Sequence, residues 1–481
     1  MSTKATANTF HVPLISAEFE GASLGDRRLN ARLATVVAGF APAPALSIPQ
    51  AATAKKELQG AYRFLSNQAV TAAAILEPHI QQTVARCTNV PLVIVAHDTT
   101  QLDFSSDRDG LGYTHGASTH GFFAHVSLAI SGDVLRRPLG VLGHHTWART
   151  GKPRSKKNGR NLGGSEYAKL KDRESSRWVQ QIDAAQSAAS DVELLHVGDR
   201  ETDCFATLDH MISTSKRFVF RAHHPRLARA NDEAAEETIQ ELTAGAETVL
   251  ETEVHISSRP ATTTPGKNKT FPARASRTAR LAISGRSAQL HRPGYLGGSG
   301  WLPINVVRVR EVDAPEGVQP IEWLLYTTEP VDTAEQLAAV VDYYRARWLI
   351  EEFFKALKTG CAIEQRQLET FHGLNNLLAL FLPMAWHMLL LRNVARTAPD
   401  APAETAVSET QLEVLRACGS QRLPAQPTAR QALIALAVLG GYIPNKRDPG
   451  WLVLGRGMEK LLTLEAGWVA ARRVAKRSAE S

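Results

Sequence analysis

Cysteine is scarce in this chain. The four present among 481 residues, Cys87, Cys204, Cys361 and Cys418, stand far apart and form no Cys-x2-Cys pair. That excludes a thiolate zinc site and a disulfide framework, and it points to a reducing compartment, the cytoplasm. No run of about 18 apolar residues appears, so no membrane span is expected. The first 21 residues lack the basic-then-apolar pattern of an export signal. No internal repeat is visible. Charge of one sign does not dominate either: 55 Lys and Arg face 48 Asp and Glu, a net +7. That mild excess is compatible with a nucleic-acid partner without demanding one. What remains is ordinary globular material, 43% hydrophobic and 21% charged, long enough for several domains.

Residues 1–73 read as short basic helices. Ser23 to Val37 has a helix-start signal and then helical periodicity, which places Arg28 and Arg32 on one face beside Arg27. Lys55 onward opens a second basic-aromatic helix with Tyr62 and Arg63. Such a module either docks on a DNA backbone or is a solvated helical cap. A helix over 72–86 precedes Val90 to Val95, a short apolar run ending at His97-Asp98, the pattern of a buried strand. Residues 122–130 read as another strand. Residues 135–173 are glycine-rich and carry Arg136, Arg137, Arg149, Lys152, Arg154, Lys156, Lys157, Arg160, Lys169 and Lys171. They read as a loop, either for phosphate or merely solvated. A helix over 174–189 leads to Val192–Val197, a second buried strand ending at Gly198-Asp199. From about 227 to 330, extended segments at 248–256, 279–290, 303–312 and 321–328 form a β-rich insertion. Residues 398–410 read as a Pro/Ala-rich linker before a helical end. The expected domains are 1–73, 74–397 and 398–481.

The densest segment begins after a capping box at Thr333–Gln336 and is expected to stop at Gly360. At about 100° per residue, Tyr344, Arg347, Glu351, Lys355 and Lys358 fall within an arc of roughly 80°. Leu349, Ile350, Phe353, Phe354 and Leu357 take the opposite side. A phenol, a carboxylate and three cations therefore share one stripe. It is either a solvated salt-bridged face or a site that holds a metal beside a polyanion.

Asp98 and Asp199, each after an apolar strand, and Glu351 on this helix supply only carboxylate oxygens. That donor set suits Mg²⁺. Close carboxylates raise one another's pKa, so a divalent cation is their natural partner. Two such ions could activate a nucleophile and stabilise the leaving oxygen of a phosphoryl displacement.

The string Tyr344-x2-Arg347-x3-Glu351-x6-Lys358 resembles the Tyr-Arg-Glu-Lys signature of the insertion-sequence-four family of cut-and-paste DDE transposases. The resemblance extends to Ala22–Arg28, Gln59–Phe64, Val95–Thr100, Gly198–Asp203, Arg217–Arg226, Trp323–Pro330 and Gly440–Arg447. It implies an α/β fold: a ribonuclease-H-like catalytic core with a β-strand insertion, an all-helical N-terminal DNA-binding module and a helical C-terminal region. It implies that Asp98, Asp199 and Glu351 form the metal-binding catalytic triad, with Mg²⁺ (Mn²⁺ able to substitute) and two ions per site. Tyr344, Arg347 and Lys358, with Lys355, would grip DNA near the cut. Trp323 would stack a flipped base, with Trp348 and Arg221 near it; otherwise Trp323 is a core aromatic. Arg27, Arg28, Arg32, Tyr62 and Arg63 would read the element's ends. The histidines at 97, 144, 145, 223 and 224 would be structural or DNA-adjacent. The partners implied are double-stranded DNA, both element ends and target, and a second copy of the chain in a homodimer built through the C-terminal helices. The rival expectations are a nuclease that never joins strands and an inactive DNA-binding descendant of such an enzyme.

Overall fold

The first apolar run does become a strand, β1 (Val93–Phe104), and residues 93–97 are buried on both of its faces. A strand clothed on two sides must be apolar throughout, so it shows no alternation. In the computed structural model, residues 15–40, 47–51, 54–114, 119–149, 176–256, 258, 261–264, 269–297, 299–445 and 448–480 are described. β1 pairs antiparallel with β2 (His120–Ser131), which pairs antiparallel with β3 (Pro138–Trp147). On its other edge β1 runs parallel to β4 (Leu194–Gly198), and β4 parallel to β5 (Arg217–Arg221). The order β3-β2-β1-β4-β5, antiparallel then parallel about a central first strand, agrees with a ribonuclease-H-like core.

β3 corrects the expectation of a loop from 135. Its apolar half, Pro138–Leu142, is buried, while glycine content masked the strand in the sequence. Gly140 has φ +146, and a Cβ there would meet Thr83 Oγ1 at 2.0 Å, so glycine is required by a close approach. The register shifts on either side of Leu128–Ala129 mark the irregularity. The basic residues from Lys152 to Lys171 lie outside the described residues.

The insertion extends the same sheet. β6 (Leu250–Ile256) and β8 (Trp301–Val312) both pair with the long β7 (Arg277–His291), and β9 (Glu322–Thr327) joins β8 to β5. All four predicted extended segments are therefore strands. A six-residue helix, Ile239–Ala244, capped by Thr238, was not anticipated.

The N-terminal helices are α1 (Arg27–Phe40), α2 (Lys55–Ser66) and α3 (Ala72–Cys87). α4 (Ser176–Ala188) lies on the face of the sheet that carries Val93, Val95 and His97. On the opposite face lie α5 (Ala334–Ala346), α6 (Trp348–Lys355) and α7 (Phe371–Thr397), which pack with Ile94 and Ala96. α8 (Glu409–Cys418), α9 (Ala429–Leu439) and α10 (Trp451–Glu480) complete the chain.

α7 is long and apolar enough, by length and composition alone, to cross a membrane, although it holds no unbroken run of about 18 apolar residues. A window of it has mean hydropathy 1.5, yet 94% of that window is buried inside the protein. Its few polar side chains explain why it belongs there. Asn376 donates to the carbonyls of Leu65 (2.9 Å) and Val70 (3.0 Å) in the N-terminal module. Trp386 donates to Pro138 O (3.0 Å), and Asn393 to Leu135 O and Arg136 O (3.1 and 2.9 Å). One hydrophobic core accordingly runs from Ile15 through the sheet to Leu462. A buried ion cluster reinforces it: Glu18 bonds His79 and, through both carboxylate oxygens, Arg86 (2.9 and 3.1 Å). Burial alone would raise the Glu18 carboxyl, but His79 and Arg86 overcome it and hold it at about 2.

Candidate active site

Because Ala96 stands opposite Val197 in the parallel pair, Asp98 and Asp199 emerge side by side two residues further on. Asp98 is not at the strand's end; β1 outruns β4, and Asp98 still pairs with Val126. Asp199 begins a tight turn, where its side chain accepts from Glu201 N at 2.8 Å. Even-numbered residues of β1 face the α5–α6 layer. There Arg347 reaches Asp98 Oδ2 (3.4 Å) with one guanidinium nitrogen and Glu351 Oε1 (2.7 Å) with another.

The charges of Asp199 and Glu351 both act on Asp98. Burial, then the charge of Asp199, push the Asp98 carboxyl up to about 7; Arg347 and the Thr99 N–H work against the rise, and Glu351 adds to it. Among the described residues no group of three or more His, Cys, Asp or Glu closes into a cage for a metal. Arg347 stands between two of the acids and supplies their positive charge. The chemistry of the donors nevertheless fits a hard divalent cation: carboxylate oxygens only, with one carboxyl made costly to ionise by its neighbour's charge.

The signature segment is not one ideal helix. Its opening is as expected, with Thr333 and Gln336 forming a capping box. The backbone then tightens at Arg347, where Arg347 N bonds Tyr344 O and Ile350 N bonds Arg347 O. It widens into a π-turn over Ala356–Gly360, a feature often found at functional positions. Lys358 is thereby turned toward β1, where it donates to the Gln101 carbonyl and lies 3.4 Å from Glu364. Lys355 stands apart, half exposed, with its ammonium 3.0 Å from Glu352 and over the Trp348 ring. Gly360 does not end the segment by a left-handed turn; Ala362 takes that conformation at φ +49. Gly455 permits the close approach of α10, since a Cβ there would sit 2.5 Å from the Gly360 carbonyl, whereas a Cβ on Gly360 would meet Met388 Cε of α7 at 2.8 Å.

Beside the acids lies a cavity of about 570 Å³ lined by Arg136, Arg221, Trp323, Tyr344, Arg347 and Trp348, among others. Trp323 stands edge-on to Tyr344 with ring centroids 5.5 Å apart. Tyr344 is itself buried, while Trp348 is 55% exposed. Arg221 donates to the Glu322 carbonyl at 3.1 Å, tying the last catalytic strand to the insertion strand that carries Trp323.

The N-terminal residues are more scattered. Arg27, Arg28 and Arg63 are exposed, but Arg28 is engaged by Asp26 at 3.0 Å. Arg32 is turned onto Gly60 of α2, so Arg28 and Arg32 do not form one free basic face. Tyr62 is half-buried against the core.

Several contributors escaped the sequence reading. Asp203 is buried, accepts from the backbone of His223 (2.6 Å) and His224 (2.8 Å), and pairs with Arg226, fixing the chain just after Arg221. Arg136 reaches Asp342 across the cavity mouth. Glu352 gathers Lys355, Arg392 and Arg396. Asp203 was visible in the Gly198–Asp203 block; the other partnerships join residues far apart in sequence and left no local signal. His97 belongs to a buried chain in which it meets His196 at 2.9 Å and Ser127 at 3.1 Å.

Two protein families match this chain: transposase DNA-binding over residues 13–70 and transposase DDE domain over residues 154–384. Together they take in more than half of the sequence. Among solved structures, the piggyBac transposase in its synaptic complex with hairpin DNA is similar over 81% of this chain and 79% of that one, with 9% identity and a TM-score of 0.34.

Proposed function

From the match of residues 154–384 to the transposase DDE domain and of residues 13–70 to the transposase DNA-binding family, we propose that the chain binds the ends of a mobile DNA element, cleaves them through a hairpin intermediate, and joins the 3′-hydroxyls to target DNA. DDE domains generally use divalent metal ions. The ion proposed is Mg²⁺, two per site and replaceable by Mn²⁺, held by Asp98, Asp199 and Glu351. The finer placement, within the insertion-sequence-four family and with motifs like those of the Tn-five transposase, rests on the Tyr344-Arg347-Glu351-Lys358 string. The observation that carries the reading is the convergence of Asp98, Asp199 and Glu351 from two parallel strands and a helix, beside a cavity walled by Trp323 and Arg221.

When bound, the metal supplies charge that lowers the barrier to nucleophilic attack on phosphorus and to departure of the 3′ oxygen. The chain's own groups position the DNA. Arg347, now bridging Asp98 and Glu351, offers a fork suited to phosphate once those carboxylates are otherwise neutralised. Lys358 is assigned as a point charge for phosphate, with Lys355 as a further phosphate contact. Trp323, held by Tyr344 and flanked by Arg221 and Trp348, offers its ring to a base taken out of the stack, worth about 1–3 kcal/mol. Arg27, Arg28, Arg32, Tyr62 and Arg63 are assigned to end recognition. Synapsis is proposed to require a homodimer through the C-terminal helices, a role supported by the exposed Leu452 and Val474 on α10. The basic residues Lys152, Arg154, Lys156 and Lys157 are proposed to contact phosphates; neutralising them should flatten the salt dependence of DNA binding, and an unchanged slope counts against that role.

The test is end cleavage, using DNA with the inverted repeats that flank the gene, Mg²⁺, and a denaturing gel. A nick followed by a hairpin-sized product, absent with Glu351→Gln, is expected. Binding without cleavage in both proteins would identify an inactive descendant, and cleavage that never yields a hairpin would identify a plain nuclease.

A further inference from the structure

A second cavity, about 340 Å³, opens on the other face of the sheet, under the start of α4. Asp98 faces the signature helix, so its neighbour Thr99 faces away from it, and Thr99 and Gln101 form the floor of this cavity. Glu201 at its rim is two residues past Asp199. The cavity therefore adjoins the carboxylates from the side opposite to Trp323.

Its walls are aromatic and cationic. Phe123 and Trp147 stand side by side across β2 and β3, nearly parallel at 5.5 Å, with Arg149 over Phe123 (4.2 Å) and Arg177 over Trp147 (4.4 Å). His125 lines it too, edge-on to Trp178 at 4.5 Å. That ring is 1% exposed. Its Nδ1 is taken by Thr99 Oγ1 at 2.9 Å, while its Nε2 is buried with no partner among the described residues. Burial, with the charge of His145 behind it, pushes the ring down to about 3, so His125 is neutral. A buried, neutral nitrogen without a partner is costly unless something in the cavity meets it.

Planar aromatic walls, paired guanidinium groups and an unsatisfied ring nitrogen together match a nucleotide. A base has two faces to stack, an edge of donors and acceptors, and a phosphate attached. We propose that this cavity seats an unpaired nucleotide of the DNA, its base against Trp147 with its edge toward His125 Nε2, and its phosphate at Arg149 and Arg177. Trp323 and Trp147 then hold unpaired nucleotides on opposite sides of the same three carboxylates. The inference rests on the transposase reading above.

The test uses the full-length protein in EDTA and two fluorescent duplexes of the element's end, one blunt and one with a short unpaired extension. Wild type should bind the extended duplex at least about fivefold tighter. Trp147→Ala should lose that preference while binding the blunt duplex as before, and Trp147→Phe should keep most of it. In wild-type protein, where folding is not in question, iodouracil in the extension should photocrosslink to Trp147 or Trp178. No advantage for the extension, an advantage that survives Trp147→Ala, or crosslinks confined to Trp323 and Trp348 would overturn the proposal. Failure to bind either duplex would instead remove the transposase reading on which it stands.

Discussion

Asp98→Asn should make the metal-free protein more stable at alkaline pH. The Asp98 carboxyl is raised from 3.8 to about 7. At about 1.4 kcal/mol per unit, keeping it charged costs the folded state up to ~4 kcal/mol above pH 7. The sign follows from the direction: a folded-state pKa above the unfolded one means stability that is full below the unfolded value near 4. It is lost at ~1.4 kcal/mol per unit as pH rises toward 7, then levels off. Asparagine keeps an acceptor for the Thr99 N–H and removes the charge that repels Asp199. Against this stands the loss of one ion pair with Arg347 at 3.4 Å, a small term because Arg347 retains Glu351. The net gain at pH 8 should be ~1–3 kcal/mol, read as a rise of a few degrees in Tm, shrinking steadily to pH 4. Adding Mg²⁺ at pH 8 should raise the Tm of the wild type and leave the variant nearly unmoved. Thermal melts of both proteins at pH 4, 6 and 8, with and without Mg²⁺, decide it. A variant less stable than wild type at pH 8, or an offset that does not change with pH, would refute the reasoning.

Trp323→Ala should leave the first nick intact and slow hairpin formation roughly 5- to 150-fold, the loss of one base stack, as followed by single-turnover gels. Glu18→Gln should cost about 3–5 kcal/mol, because Arg86 and the buried His79 lose their partner. In the wild type the stability that Glu18 contributes is present above pH 4.5 and disappears as pH falls through about 2, so acid unfolding of the variant should show a shallower pH dependence over that window. Gly455→Ala places a methyl against the Gly360 carbonyl and should lower stability by about 1–3 kcal/mol, visible as a reduced Tm with unchanged binding to short DNA.

The site was legible in the sequence where chemistry is written locally. An apolar run ending in an acid occurs twice, and the two runs pair in parallel, which brings Asp98 and Asp199 together. The capping box at Thr333 opens α5 as read. What the helical wheel could not supply was the break at Arg347 and the π-turn after Lys355. Those come from packing against β1 and α10, and they turn Lys358 to the Gln101 carbonyl instead of along an even stripe. β3 does not stand out in the sequence because its glycines read as loop, although Gly140 is there to let α3 approach. α7 holds no unbroken run of about 18 apolar residues, since Asn376, His387 and Asn393 interrupt it; all three are buried, and the two asparagines bond distant carbonyls. The Trp147 cavity carried no sequence signal at all, because its walls come from β1, β2, β3 and α4 at once.

The reach of α7 has a consequence during synthesis. Asn376 supplies the hydrogen bonds that close the N-terminal module at Leu65 and Val70, and the apolar face of that module packs on the same helix. A ribosome adding roughly 5–20 residues per second takes about 15–60 s to travel from that module to Asn376. Throughout that interval α1 to α3 wait with their inner surfaces uncovered. The nascent chain therefore closes its first module only after Asn376 has been made, with that module's inner surface uncovered until then.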